Sequence, residues 1–164
     1  MGRYRLITRS DFDGLVCAMI LKELDMLEDI MFVHPKDMQD GMIDVNERDI
    51  STNVPYLPNV YLAFDHHISE KGTKAVNYIN KPDAASTARV LYEYFGGASR
   101  LKISEELMDA VDKFDSAQYT MEDIVNPKGW VMLSYLLDAR TGLGRFRNFR
   151  VTNYDLMMML LNYC

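Results

Sequence analysis

A strand–helix–strand pattern at the start of the chain constrains its fold more than any other feature. A short apolar run typical of a buried strand covers residues 4–8, and apolar residues then recur at helical spacing over about 13–27. A second apolar run, residues 30–33, follows after only two acidic residues. Because a crossover helix returns the chain to the same end of the sheet, the two strands are predicted to be parallel. The pattern predicts an α/β fold with a mostly parallel sheet flanked by helices.

The later segments change from strands to helices. Further strands are predicted over residues 50–53, 60–64 and 74–79. Residues 35–49 have no sustained period and read as an exposed connection with one turn of helix. Helices are predicted over residues 84–95, 104–117, about 128–137 and 153–163. We therefore expect one domain, residues 1–164, whose C-terminal portion is helical.

The composition limits the cell compartment and the kinds of partner expected for this chain. A formal net charge of −6 disfavours long nucleic acid as a partner. Two cysteines, Cys17 and Cys164, cannot form a disulfide framework, which fits a reducing cytosol. The N-terminus lacks the apolar stretch of a signal peptide, and the apolar run 156–161 is too short to span a bilayer. The sequence predicts a cytoplasmic protein with no membrane segment.

Two aspartates follow the first predicted strand. Asp11 and Asp13 are two residues apart, so in an extended turn their carboxylates project toward the same side. Carboxylates held close together repel unless a cation lies between them. The alternative is that Asp13 only caps the next helix and Asp11 is solvated, and this spacing alone favours that alternative.

A second polar group follows the predicted strand at 60–64. Asp65, His66 and His67 are consecutive there, and neighbouring side chains in an extended segment point in opposite directions. One imidazole can therefore bind a metal while the other faces a substrate. Asp65 can orient an imidazole by a hydrogen bond without itself binding the metal. The alternative is an exposed polar strand end. Together with Asp11 and Asp13, this group predicts a site at the edge of the sheet.

These segments resemble the successive motifs of the DHH phosphoesterases. The matching segments, in family order, are SDFDG at 10–14, FDHH at 64–67, ASTAR at 85–89 and DKFDS at 112–116. Two more segments, KDMQDG at 36–41 and TGLGRF at 141–146, are most similar to exopolyphosphatase-like members. The family usually adds a C-terminal substrate-binding domain, and nothing similar occurs in this chain.

The resemblance implies a metal site and its ligands. By position, it implies metal ligands at Asp11, Asp13, His66 and Asp115. His67 would face the phosphate, and Asp112, one helical turn before Asp115, is a less favoured ligand. Oxygen and imidazole donors suit Mn²⁺ or Mg²⁺.

Two positions depart from the family pattern. A histidine usually precedes the aspartate pair, but Arg9 and its neighbours stand there, and Asn53 occupies the place of an aspartate that bridges two metals. An amide binds divalent ions more weakly than a carboxylate. We therefore expect one firmly held ion. Arg9 is predicted either to replace the charge of the second ion and bind substrate, or to be solvated or paired with Asp11.

Basic residues elsewhere offer phosphate contacts. Arg89, in a segment that opens a helix, is predicted to bind the substrate phosphate. The densest basic stretch is formed by Lys128, Arg140, Arg145, Arg147 and Arg150, and a solvated loop is the favoured interpretation. A methionine stripe at 157–159 is usually core, but it is also a possible surface for a homo-oligomer.

Three functions are compatible with these residues. The first is a metal-dependent phosphohydrolase acting on short polyphosphate or a related small phosphorylated compound, in which Asp11 orients or deprotonates water while His67 and Arg89 neutralise phosphoryl oxygens. The second is a phosphodiesterase for short oligonucleotides or cyclic dinucleotides. The third is a non-catalytic module that binds phosphate compounds, which Asn53 favours and the intact His66 and His67 oppose.

Overall fold

Five parallel strands form a single sheet. The structure, a computed structural model, describes residues 2–70, 72–138 and 150–163. The strands are β1 Tyr4–Arg9, β2 Leu27–Val33, β3 Asp49–Thr52, β4 Leu62–Asp65 and β5 Tyr78–Asn80. Their order in the sheet is β2-β1-β3-β4-β5, and every neighbouring pair is parallel. The predicted α/β fold with a parallel sheet flanked by helices is confirmed.

Helices account for most of the remaining described residues. They are α1 Phe12–Glu23, α2 Pro35–Gln39, α3 Thr87–Tyr94, α4 Glu105–Asp115, α5 Met121–Val125, α6 Gly129–Leu137 and α7 Asn153–Tyr163. Single 3₁₀ turns occur at Ile68–Glu70 and Gly97–Ser99. Within the described ranges, none of these helices has the length and apolarity needed to cross a membrane.

The two faces of the sheet bury cores of unequal size. Consecutive β1 residues point to opposite faces, so Leu6 enters the large core under α1, α3 and α4. Ile7 enters a small core on the other face with Val33, Met38 and Val54. The small core fixes α2, which contains Met38, against the end of the sheet.

Several predicted boundaries differ from the structure. The helix predicted over 13–27 ends at Glu23, because Asp25 adopts a left-handed conformation (φ 54°) and turns the chain into β2. The strand predicted over 74–79 is only Tyr78–Asn80. Helix α5 was not predicted, although Thr120 and Asp123 form a capping box at its start.

An ion pair joins β1 to β3 at the amino end of the sheet. Asp49 is 1% exposed and accepts hydrogen bonds from Arg5 Nε (2.8 Å) and Nη2 (2.9 Å). Loss of the arginine leaves a buried carboxylate without its counter-charge. We expect Arg5→Ala to lower the free energy of unfolding by about 2 kcal/mol, measured by urea denaturation.

The exposed pair of Arg3 and Asp25 provides a matched control for this prediction. Both side chains are more than half exposed, and an exposed ion pair contributes about 0–1 kcal/mol. Arg3→Ala should therefore change stability much less than Arg5→Ala. Equal losses of unfolding free energy in the two variants would contradict the idea that burial strengthens the pair of Arg5 and Asp49.

Candidate active site

Polar residues from three adjacent strands meet at the carboxyl edge of the sheet. Asp11 follows β1, Asn53 follows β3, and His66 and His67 follow β4. In parallel sheets this edge is where ligands bind, because strand ends and helix N-termini converge on it. The strand order places these residues side by side although they are far apart in sequence.

Asp11 is the N-cap of α1, and it is almost fully buried. Its Oδ1 accepts a hydrogen bond from Gly14 N (3.0 Å), and Asn53 Nδ2 lies 3.3 Å from Oδ1 and 3.5 Å from Oδ2. Arg9 Nε lies 3.1 Å from Oδ2, which realises the predicted pairing with Asp11. Asn53 has a left-handed backbone (φ 56°), which asparagine tolerates better than most residues. Both Asp11 oxygens therefore contact donors of this chain.

Gly14 holds the turn between β1 and α1 close to the strand. A Cβ atom at this position would lie 2.0 Å from Arg9 O and 2.9 Å from Thr8 Oγ1. The obstructing atom is backbone and cannot move aside. Glycine at this position therefore permits the close approach that sets Asp11 and Asp13 at the edge of the sheet.

Asp13 joins the first turn of α1 to the start of α3. It is completely buried, and its two oxygens accept hydrogen bonds from Thr87 N (3.1 Å) and Ala88 N (2.7 Å). The Ser86 side chain caps the same helix end by accepting from Arg89 N. The alternative in which Asp13 only caps α1 and Asp11 is solvated is wrong, since Asp11 is the buried N-cap of α1 and Asp13 contacts another helix.

His66 and Asp115 complete a group around Asp13. His66 Nδ1 lies 3.1 Å from Ala84 O, which turns Nε2 toward Asp115 Oδ2 at 2.6 Å. This contact pairs the buried Nε2 with a carboxylate oxygen. Asp115 ends α4, so the group draws on three separate elements.

These three residues fit a divalent cation. One donor atom from each of Asp13, His66 and Asp115 lies within 4.8 Å of the others. Two ligands at about 2.1 Å from one ion lie at most about 4.2 Å apart, so the side chains need to close only slightly to share an ion. One imidazole nitrogen beside two carboxylates is a donor set that suits a hard or borderline cation.

Electrostatics in this cluster favour an added positive charge. Burial is the main cause that raises the pKa of Asp13 well above its ordinary value, and Asp115 and Asp11 raise it further. Burial also raises the pKa of Asp11 to about 6, against the opposing effect of Arg9. Burial lowers the pKa of His66, but the hydrogen bond and charge of Asp115 outweigh it and raise the value to about 9. Asp11 and Asp13 thus resist ionisation and His66 retains its proton when no cation is present.

His67 lies beside this cluster, with its ring centroid 4.7 Å from that of His66, so the two neighbouring side chains do not point in opposite directions. Its Nδ1 lies 2.7 Å from Asp65 Oδ1, and Tyr78 Oη donates to Asp65 Oδ2 at 3.2 Å. The hydrogen bond that His67 makes to the Asp65 carboxylate is the main cause that raises the pKa of His67. Asp65 is 1% exposed whereas the His67 side chain is 43% exposed, so a buried carboxylate orients an accessible imidazole.

A cavity of about 330 Å³ contains most of these groups. Its walls include Asp11, His66, His67, Asp115, Arg9 and Asp138. Sequence reasoning missed Asp138, which is 7% exposed and directly follows α6. No motif surrounds Asp138, and only the packing of α6 against α4 brings it near Asp115.

Two sequence-predicted residues lie elsewhere. Arg89 contacts Asp112 through Nε and Nη2, both at 2.8 Å, and also pairs with Glu105 and Asp109. Asp112 further accepts from Ser86 Oγ at 2.6 Å. Both residues thus tie α3 to α4, and neither is among the residues that line the 330 Å³ cavity. The arginines 140, 145 and 147 lie outside the described residues, and Arg150 is exposed.

Comparison with solved structures identifies the fold. A pGpG-specific phosphodiesterase, PggH from Vibrio cholerae, matches 99% of this chain with a TM-score of 0.90 and 52% sequence identity. This chain has the DHH phosphoesterase fold. It spans about half of that protein, covering 52% of its length. No protein-family model and no curated protein matches this DHH-fold chain significantly.

Proposed function

We propose that this chain is the catalytic domain of a metal-dependent phosphodiesterase that hydrolyses guanine dinucleotides of the pGpG type. The convergence of Asp13, His66 and Asp115 on one point carries the proposal. The 52% identity with a pGpG-specific phosphodiesterase supports the choice of substrate over the short polyphosphate first expected. The exopolyphosphatase likeness, the cytoplasmic location and a homo-oligomeric state stay predictions from the sequence.

The cation would be held by Asp13, His66 and Asp115. When bound, a divalent cation such as Mn²⁺ or Mg²⁺ lowers the pKa of a water molecule and supplies hydroxide near neutral pH. Asp13 is oriented for this role by the two backbone N–H groups of α3. His66 is oriented by Ala84 O, so two of the three ligands are held in position before any cation arrives.

Three residues around the cation position would handle the substrate. His67, held by Asp65, presents its accessible Nε2 edge to a phosphoryl oxygen. The Arg9 side chain is 42% exposed, and its guanidinium can pair with a phosphate through groups that Asp11 does not occupy. Asp11, which borders the same cavity, would orient or deprotonate the attacking water. Donors aimed at phosphoryl oxygens stabilise the charge that develops as the ester bond breaks.

One cation is expected at this site, with the charge of Arg9 beside it. Asp11 accepts from Gly14 and Asn53 and is paired with Arg9, so both of its oxygens already have donors in this chain. Equilibrium dialysis with Mn²⁺ should give about one tightly bound ion per chain, and chelation of that ion should abolish hydrolysis. Two tightly bound ions per chain would contradict this assignment.

Substitution of Arg9 tests whether its charge acts on the substrate and not on the retention of the cation. We expect Arg9→Ala to lower kcat/KM about 100-fold while the Mn²⁺ content stays unchanged, because the guanidinium contacts substrate and not the cation. Arg9→Lys should recover part of the loss. Arg48→Ala is the matched control, since Arg48 pairs with Glu28 on the surface away from the cavity. Unchanged kcat/KM in Arg9→Ala would show that Arg9 does not contact the substrate.

A substrate panel tests the proposed function. Purified chain with Mn²⁺ would be given pGpG, cyclic di-GMP, a longer oligoribonucleotide and short polyphosphate, and the products separated by chromatography. The proposal expects hydrolysis of pGpG to GMP ahead of the other compounds. Preferential cleavage of polyphosphate would restore the first sequence-based hypothesis. Binding of pGpG without any turnover would instead select the non-catalytic binding module.

A further inference from the structure

A second cavity lies beside the one that contains the cation ligands. It has a volume of about 140 Å³, and Arg9 and His67 line both cavities. Its other walls include Pro35, Val54 and Pro55. We call it the switch-point cavity, because it lies over the carboxyl ends of β1 and β3, where the strand order reverses direction. Ligands of open parallel sheets bind at this reversal point.

The walls of the switch-point cavity suit a flat, mostly apolar group. Two prolines and Val54 present rigid apolar surface, and Pro35 is fixed at the first turn of α2. The volume is close to the ~150 Å³ of an engineered cavity that binds benzene. The cavity therefore has room for one ring system and not for a whole dinucleotide.

Polar groups at the cavity offer hydrogen bonds to the edge of such a ring. Gln39 ends α2 and its side-chain amide makes no hydrogen bond to any described residue, leaving two donors and an acceptor for a ligand. Ser69 adds a hydroxyl. Asn53 Oδ1, in the buried wall, is an acceptor without a partner among the described residues. Apolar walls with a few polar groups are the usual composition of a small-molecule site.

We propose that the switch-point cavity is the nucleobase subsite of the enzyme and that Gln39 reads the edge of the base. The inference rests on the proposed function, and it adds the position of the substrate's base. A base in this cavity places the attached phosphate near Arg9 and His67, at the border with the cation ligands. Rigid walls lower the entropy lost on binding, so a single base can contribute specificity.

The binding of two probes tests this subsite. GMP carries a base and a phosphate, whereas ribose 5-phosphate carries the phosphate alone, and both would be titrated calorimetrically into the full chain with Mn²⁺. Gln39→Ala should weaken GMP about tenfold, equivalent to about 1.4 kcal/mol, and leave ribose 5-phosphate unchanged. Ser69→Leu, which fills the cavity, should have the same selective effect. Gln118→Ala, at an exposed glutamine in the loop after α4, is the control.

Two results would overturn the subsite. One is GMP binding that neither Gln39→Ala nor Ser69→Leu weakens, and the other is wild-type protein that binds GMP no more tightly than ribose 5-phosphate. Hydrolysis of pGpG is measured on the same samples. Gln39-dependent binding of GMP without hydrolysis would leave the subsite standing and refute the phosphodiesterase. Hydrolysis of pGpG together with GMP binding that does not depend on Gln39 or Ser69 would refute the subsite and leave the phosphodiesterase standing.

Discussion

Replacement of Asp13 by alanine will abolish both Mn²⁺ retention and the hydrolysis of pGpG. The change removes one of the three converging donors and the only one that is completely buried. We expect kcat/KM to fall at least 1000-fold, about 4 kcal/mol of transition-state stabilisation. Steady-state kinetics and equilibrium dialysis on the same preparation measure the two losses together.

His66→Ala provides an independent test of the same assignment. Asp13 also accepts hydrogen bonds from α3, so its loss alters packing as well as ligation, whereas His66 contacts Ala84 O, Asp115 and the ring of His67. Equal loss of the cation and of turnover in both variants, with native circular dichroism, supports ligation. Asp29→Ala, on the exposed side of β2, should retain both properties. Activity in either ligand variant would refute the proposed site.

Gly14→Ala should destabilise the fold more than any other single methyl addition at a described glycine. The new Cβ would lie 2.0 Å from Arg9 O, so the start of α1 must move away from β1. We expect the free energy of unfolding to fall by about 3 kcal/mol. In a chain of this length that corresponds to a Tm lower by roughly 6–12 °C, measured by thermal denaturation.

Gly72 provides the matched control for this substitution. A Cβ at Gly72 meets nothing within 4 Å, so Gly72→Ala should leave the Tm almost unchanged. The same preparations would be tested for Mn²⁺ binding, because a displaced turn moves Asp11 and Asp13 as well. A Gly14→Ala protein with wild-type stability would show that the turn tolerates the shift and would contradict the close approach described for Gly14.

Sequence patterns predict the fold because each strand is a separate local signal. Apolar runs located the strands, and the crossover helix between the first two implied parallel pairing, which the structure has in every neighbouring pair. The end of α1 was predicted too late because the left-handed conformation of Asp25 leaves no pattern in the apolar residues. Helix α5 was missed because its helical stretch is only five residues long.

The candidate site was predictable where a residue directly follows a strand. Asp11, His66 and His67 lie at strand ends, so the fold alone brings them together. Arg89 shows the limit of this reasoning. Its place at the start of α3 indicated phosphate binding, but α4 presents Asp112, Glu105 and Asp109 to its guanidinium. The direction of a long side chain depends on the charges of the neighbouring helix, which no local pattern specifies. Asp138 was missed because the packing of α6, and no local motif, places it at the cavity.

The proposed ligands come from three distant parts of the chain. The supply of the ion should therefore affect how fast the protein is degraded. An unfolded chain cannot hold Asp13, His66 and Asp115 together, so the ion binds only the native state. At an ion concentration 100-fold above the dissociation constant, this linkage adds about 2.7 kcal/mol to the native state. Cells starved of the ion would therefore expose more of this protein to proteolysis, and its abundance would fall together with its activity.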